Sequence, residues 1–211
     1  MSLNKLLKNV SLALTLGVGT LLLPAGSAAA ADRYSVVDPA QPSDTSGKVE
    51  VLEFFAYTCP HCKVMEPMVA RWAKTLPDNV VVKPVPVAFN AGMADLQKLF
   101  YTLESMKRLD LHNKVFSTIH DERKRIFDKA TITDWAAGQG LDRQAFENTF
   151  SSFGVDSKVR RANELTKAYN INGTPSLAVG GKYVTSPSMA GGYEATITEA
   201  QRLLDKVLAG N

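Results

Sequence analysis

The sequence predicts an α/β fold in which a helical block separates two groups of strands. Three observations support this prediction. Residues 49–57 form an apolar segment interrupted only by two acids, which is typical of a strand covered on both faces. The hydrophobic period changes to a helical one directly afterwards, from Cys59 onward. A strand pattern returns at residues 176–184, where Gly180-Gly181 predicts a hairpin turn.

The N-terminal segment has the pattern of a secretory signal peptide. Lys5 and Lys8 precede an apolar run over residues 10–23, and a tail of small residues follows. The run is shorter than the roughly 20 residues that a membrane-spanning helix needs, which disfavours an uncleaved anchor. We therefore expect residues 1–30 to be a signal peptide and the mature protein to enter an oxidising compartment.

The charge distribution argues against a nucleic-acid partner. The chain carries 24 Lys and Arg against 21 Asp and Glu, a formal net charge of +3. Its basic clusters, at residues 123–125 and 160–161, are flanked by acids such as Glu122 and Glu164. Mixed charge of this kind is typical of solvated helix faces rather than of a phosphate-binding surface.

The first elements follow from local patterns. Residues 32–48 contain prolines and a glycine in close succession, which predicts an irregular lead-in with at most one short strand. Pro60 suits the first turn of the helix that follows the central strand. Residues 80–89 indicate a second strand, and Pro84 and Pro86 favour an edge position for it.

The later elements are predominantly helical. Apolar residues recur at helical spacing in several segments between residues 96 and 150, which predicts a block of amphipathic helices. After the hairpin, Ile197 and Leu204 belong to the apolar face of a final helix. The predicted order is therefore strand, helix, strand, helical block, hairpin and helix.

The chain contains 2 cysteines, Cys59 and Cys62, at the start of the predicted first helix. A disulfide across so short a ring restrains the unfolded chain by only about 2 kcal/mol, so a structural staple explains the pair poorly. A zinc site usually needs four ligands, and the chain offers only 3 histidines besides the pair, so we expect no metal. We interpret the pair as redox-active.

The position of each cysteine predicts its role. Unpaired N–H groups and the positive end of the helix dipole favour a thiolate at Cys59. Cys62 lies one turn later, keeps an ordinary or raised pKa and closes the disulfide. Pro60 begins the helix, and the imidazole of His61 is expected to tune Cys59 as a polar or cationic neighbour. A stabilised thiolate makes a disulfide easier to reduce, so the sequence predicts an oxidant of other thiols.

The stretch FFAYTCPHC, residues 54–62, resembles the active-site region of the DsbA family of periplasmic disulfide oxidoreductases. The export signal and the helical block between two groups of strands fit the same family. The resemblance covers essentially the whole mature chain and implies a thioredoxin fold with an inserted α-helical domain. It assigns residues 31–90 and 166–211 to the two parts of the thioredoxin fold and residues 91–165 to the inserted domain.

The resemblance also implies roles for residues outside the motif. It places a cis-proline at Thr174-Pro175, beside the reactive sulfur, with the backbone of Thr174 contacting bound peptide. The family's best-known member has valine before this proline, so Thr174 is a departure whose hydroxyl can bond near the sulfur. Glu53 takes the position of a buried acid to which proton transfer is attributed. From the residues alone, a salt bridge between Glu53 and Lys83 is an equal alternative.

Three further polar residues are expected to take no part in the chemistry. Glu66, one turn after Cys62, is interpreted as a solvated helix residue. His112 and His120 are interpreted as surface or helix-end residues rather than catalytic ones.

These observations together predict a monomeric thiol:disulfide oxidoreductase of the periplasm that uses no cofactor. We expect it to donate the Cys59–Cys62 disulfide to reduced, unfolded exported proteins through a mixed disulfide on Cys59. The resemblance adds a membrane partner of the DsbB type, which reoxidises the pair and passes electrons to quinone. Two alternatives stay open: a disulfide isomerase or reductase kept reduced by a membrane relay, and a carrier of a soft metal.

Overall fold

The computed structural model describes residues 32–210. The predicted signal peptide, residues 1–30, lies outside the described residues. Across residues 32–210 there is no helix with the length and apolar character needed to span a bilayer.

In the described chain a block of helices separates two groups of strands, as the sequence patterns predict. The strands are β1 Ser35–Val36, β2 Val49–Phe55, β3 Val80–Pro86, β4 Ser176–Val179 and β5 Tyr183–Thr185. The helices are α1 Pro60–Ala73, α2 Ala94–Ser105, α3 His112–His120, α4 Lys129–Gly138, α5 Arg143–Phe150, α6 Phe153–Ala168, α7 Pro187–Ala190 and α8 Tyr193–Leu208.

The strands form one mixed sheet in the order β1-β5-β4-β2-β3. β2 pairs in parallel with β3 and antiparallel with β4, so it has a neighbour on each side. β3 lies at the edge, as its prolines indicated, because a proline cannot donate to a further strand. It ends at Pro86 rather than at residue 89, so the predicted strand was too long by its last three residues.

Both faces of β2 are covered, which explains its nearly continuous apolar sequence. On one face, Val51 packs with buried residues of α1 and α8, including Met65 and Leu204. On the other face, Leu52 and Phe54 pack into the larger core shared with the helical block. The end of β2 is therefore held firmly where the cysteine motif begins.

Side-chain caps set the starts of three helices in the helical block. Asp128 accepts from the N–H of Thr131 at 3.0 Å, Asp142 from Ala145 at 2.7 Å and Ser152 from Val155 at 3.2 Å. Such caps pair backbone donors that the first turn of a helix leaves free.

The hairpin between β4 and β5 turns at Gly180 and Gly181, with φ values of +58° and +73°. Only glycine adopts these angles readily. A Cβ atom at Gly181 would also lie 2.0 Å from the carbonyl oxygen of Gln41. The predicted hairpin is thus confirmed, and the pairing of β4 with β2 brings the loop before β4 to the end of β2, beside the start of α1.

Candidate active site

Cys59 is the N-cap residue of α1, with extended backbone angles and Pro60 at the first helical position. Its sulfur accepts a hydrogen bond from the backbone N–H of Cys62 at 3.4 Å. The prediction that the helix begins at this cysteine is confirmed. Because the first-turn N–H groups of a helix lack partners inside it, they stabilise an anionic sulfur here.

The two cysteines, both free thiols, differ in exposure. Cys62 is 0% exposed, whereas Cys59 is only partly buried. The hydrogen bond from the Cys62 thiol lowers the pKa of Cys59 to about 5, helped by the Thr174 hydroxyl and by the N–H groups of Cys62 and His61, against an opposing effect of burial. Burial and the neighbouring Cys59 sulfur raise the pKa of Cys62. At neutral pH one sulfur therefore favours the thiolate and the other the thiol.

The peptide bond between Thr174 and Pro175 is cis, as expected from the resemblance. The thiol of Cys59 donates to the carbonyl oxygen of Thr174 at 3.3 Å. A thiolate cannot donate this bond, whereas the Thr174 side chain favours the thiolate and lowers the pKa of Cys59.

A groove of about 440 Å³ opens beside the cis-proline. We call it the active-site groove; its lining includes His61, Thr174, Pro175, Pro187 and Tyr193. His61 is exposed, and its Nδ1 lies 2.6 Å from the hydroxyl of Tyr193. The imidazole is thus directed to Tyr193, while the backbone N–H of His61 favours the Cys59 thiolate.

Glu53 lies on β2 and is buried, with 4% of its surface exposed. Within residues 32–210 its Oε1 atom has no hydrogen-bond partner. Burial, and then the charge of Glu66, raise the pKa of Glu53 to about 8. The alternative salt bridge between Glu53 and Lys83 is wrong, because Lys83 Nζ lies 2.9 Å from Oε1 of Glu50.

The expectation that Glu66 is solvated is right only in part, because the residue is half-buried. Its Oε2 atom is buried, and within the described chain that atom has no hydrogen-bond partner. Burial raises the pKa of Glu66, although the Asn113 side chain opposes this effect. Helical spacing placed Glu66 one turn after Cys62, but it did not show that α3 covers this side of α1.

His112 was expected at the surface or at a helix end, and only the second expectation is right. It begins α3 but is buried, and its Nδ1 lies 2.8 Å from the hydroxyl of Tyr57. Burial lowers its pKa to about 4. His120, the last residue of α3, places Nε2 2.8 Å from the carbonyl oxygen of Tyr57. Both histidines therefore contact the residue that lies two positions before Cys59.

No clear signal in the sequence predicts these contacts of α3. Asp121, directly after α3, forms an ion pair with Lys63, directly after Cys62. The end of α3 thus contacts the chain on both sides of the cysteine motif, at Tyr57 before it and at Lys63 after it. Across residues 32–210, no group of three or more His, Cys, Asp or Glu side chains is placed to hold a metal ion.

Comparisons with known proteins place the chain among disulfide oxidoreductases. A family model described as a DSBA-like thioredoxin domain matches residues 79–197, and a thioredoxin model matches residues 42–100. The thiol:disulfide interchange protein DsbA of Bordetella pertussis is 57% identical over 179 residues, covering 85% of this chain and 86% of that protein. The protein of the same name from Pseudomonas aeruginosa is 36% identical over 207 residues, covering 95% and 97%.

Solved structures show the same likeness. The crystal structure of Pseudomonas aeruginosa DsbA matches with a TM-score of 0.81 and 36% identity, covering 85% of this chain and 94% of that one. The oxidoreductase NmDsbA1 from Neisseria meningitidis matches with a TM-score of 0.75 and 27% identity, covering 85% and 93%. The expected thioredoxin fold with an inserted helical domain is thereby confirmed.

Proposed function

Because the chain belongs to the DsbA family and is a thiol:disulfide oxidoreductase, we propose that it is a dithiol oxidase of the periplasm. It donates the Cys59–Cys62 disulfide to newly exported proteins that are reduced and still unfolded. The predicted signal peptide supports the periplasmic location.

The difference in exposure between the two sulfurs supports this function best. Cys62 is 0% exposed, so a thiolate on another protein can reach only Cys59. A substrate thiolate attacks Sγ of Cys59, the Cys59–Cys62 bond breaks, and Cys62 leaves and takes up a proton. The product is a mixed disulfide between the substrate and Cys59.

The second step depends on the low pKa of Cys59. A second substrate thiolate attacks the substrate sulfur of the mixed disulfide, and Cys59 departs as a thiolate. A thiol of low pKa leaves faster, so this step favours release of an oxidised substrate. Two electrons have then passed from two substrate thiols to the cysteine pair.

Glu53 is proposed to exchange protons with Cys62 during these steps. Its carboxyl is buried, and its pKa of about 8 keeps a proton on it near neutral pH. A proton-transfer group works best when its pKa lies near the working pH. Pro60 and His61 are proposed to tune Cys59 through the helix start, and Thr174 and Pro175 to hold the substrate backbone.

The reduced protein needs an oxidant before it can act again. Family membership supports a membrane partner of the DsbB type that reoxidises the pair and passes the electrons to quinone. We propose that the protein works as a monomer and without a cofactor.

A trapping experiment tests the assignment of the two sulfurs. In Cys62→Ser, Cys59 is first joined to glutathione by exchange with oxidised glutathione. A substrate thiolate then attacks Sγ of Cys59 and displaces glutathione as a thiolate, and the resulting mixed disulfide lacks the Cys62 thiol that would attack it, so covalent complexes with exported proteins should accumulate on non-reducing gels. Cys59→Ser is the matched control and should trap none. The reverse pattern would show that Cys62 is the attacked sulfur and would refute the mechanism.

A further inference from the structure

A second cavity, of about 530 Å³, lies next to the active-site groove. Residues of β1, β4, β5, α7 and the end of α6 line it, including Ser35, Ser176, Val184, Met189 and Ala168. We call this cavity the polar trough. It shares Asn172, Ser176, Ser186 and Ser188 with the active-site groove, so the two cavities adjoin.

The polar trough begins within reach of a substrate attached to Cys59. The carbonyl oxygen of Thr174 lies 3.3 Å from the Cys59 sulfur, and Ser176, two residues later, lines the trough. An extended chain advances about 3.3 Å per residue. A substrate residue two to four positions from the substrate cysteine that attacks Cys59 therefore reaches the trough.

Serine and asparagine side chains in the lining of the trough suit an extended main chain, and the exposed Val36 adds one apolar contact. Serine hydroxyls and asparagine amides both donate and accept hydrogen bonds, as the N–H and C=O groups of a peptide require. Asn172 and Ser188 are exposed, and Ser188 lies 2.9 Å from Ser186 through their hydroxyl oxygens. Contacts of this kind bind a backbone without selecting its sequence, which an oxidase of many different proteins needs.

One acidic residue in the trough favours basic residues in the bound segment. Asp38 is the only charged residue among those that line the trough within residues 32–210, and it is exposed. A lysine or arginine in the bound segment gains from this charge, whereas an acid is repelled.

We propose that the polar trough is a subsite for the substrate polypeptide, occupied by a polar, extended segment two to four residues from the cysteine that attacks Cys59. The proposal rests on the proposed function, since it needs a substrate attached at Cys59. It adds a second contact region to the active-site groove and a preference for basic over acidic residues.

Synthetic dithiol peptides test the subsite. A short peptide carries two cysteines alone; longer versions add four serine or glycine residues before or after them, with or without one lysine or glutamate. Their rates of oxidation are measured with the oxidised protein in excess. Of the two extensions, before and after the cysteines, the one that enters the trough should raise the rate constant of peptide oxidation at least about five-fold, because it adds a few hydrogen bonds. Extended peptides with the lysine should be oxidised faster than those with the glutamate.

Two variants decide whether the gain comes from the trough. Ala168→Trp fills the cavity from the exposed end of α6, and Asp38→Asn removes its charge. Ala168→Trp should abolish the gain from extension but leave the rate with the short peptide unchanged. Asp38→Asn should abolish only the difference between lysine and glutamate. Ser157→Trp, an exposed position of α6 outside the trough, is the matched control and should retain both effects.

The outcomes separate the subsite from the proposed function. If the wild-type protein oxidises the short and extended peptides equally fast, or if Ala168→Trp keeps the full gain, the subsite is refuted while the oxidase function stands. If the wild-type protein does not oxidise even the short peptide, the proposed function itself fails, and the subsite fails with it.

Discussion

The carbonyl oxygen of Thr174 lies 3.3 Å from the sulfur of Cys59, although 115 positions separate the two residues. The hydroxyl of Thr174 also contributes to the low pKa of Cys59. Thr174→Val removes this hydroxyl and keeps the carbonyl. We expect the pKa of Cys59 to rise by about one unit, because a half-exposed sulfur loses one hydrogen bond to its charged form.

The thiolate absorbance of the reduced protein, titrated with pH, measures this change. Thr174→Ser keeps a hydroxyl and is the matched control, with a titration close to that of the wild-type protein. Identical titrations in Thr174→Val and the wild-type protein would show that the hydroxyl has no influence on the sulfur.

The reduced and oxidised proteins should differ in the pH dependence of their stability. Cys59 has a pKa of about 5 in the native reduced state and about 8.5 in an unfolded chain. The unfolded state therefore binds more protons between these values, so stability of the reduced protein rises with pH across this window. The contribution is complete above about pH 8.5 and is lost as the pH falls through about 5. Because the sulfur is half-exposed, water screens its charge and makes this contribution to the stability smaller.

The disulfide stabilises the oxidised protein by about 2 kcal/mol at every pH, in the chain-entropy view. We therefore expect the reduced protein to melt above the oxidised one at pH 8, and the difference to shrink or reverse at pH 5. Scanning calorimetry of both forms at each pH measures this difference in melting temperature. A difference that stays constant with pH would contradict the assignment of the thiolate to Cys59.

Glu53 should make the protein less stable as the pH rises. The native state keeps the proton of Glu53 up to about pH 8, whereas an unfolded chain releases it near pH 4.5. Between these values the native state binds more protons, so stability falls by up to about 1.4 kcal/mol per pH unit. Glu53→Gln should remove this decline and raise the free energy of unfolding at pH 7 by on the order of 2–3 kcal/mol.

Urea unfolding of the oxidised protein between pH 4.5 and 8 follows the effect of Glu53 without any contribution from a free thiol. Glu194→Gln, at an exposed position of α8, serves as a control that should leave the decline in place. An equally steep decline in Glu53→Gln would place the titrating group elsewhere.

His120 should position the segment that leads to Cys59. His120→Phe keeps an aromatic ring beside Phe116 but removes the hydrogen bond to the carbonyl oxygen of Tyr57. We expect a loss of about 1–2 kcal/mol in the free energy of unfolding and a higher pKa of Cys59, because the N-cap loses a fixed neighbour. His120→Gln supplies an amide donor and should restore part of the lost stability and part of the low pKa of Cys59. An unchanged pKa in His120→Phe would reduce the role of His120 to packing.

Much of the fold follows from local patterns in the sequence. The central strand, the helix that begins at Cys59, the edge strand with its prolines and the Gly180-Gly181 hairpin each depend on neighbouring residues, and the structure confirms them. The cis peptide bond before Pro175 followed only from the resemblance, because local chemistry favours the trans form.

The errors concern contacts between distant segments. Glu66 and His112 are polar residues at helical positions that commonly face solvent. Their burial or pairing depends on how α3 packs against α1 and β2, which no local period reveals. The same holds for Lys83, whose partner proved to be Glu50 rather than Glu53.

The central claim is that the free Cys59 thiolate is favoured over the Cys59–Cys62 bond. Redox equilibrium with glutathione tests this claim most directly. The measurement mixes the protein with defined ratios of reduced and oxidised glutathione at pH 7 and determines the fraction of dithiol. We expect a potential less negative than about −180 mV, the value of a disulfide isomerase. A potential near −270 mV, the value of the reductant thioredoxin, would contradict the account.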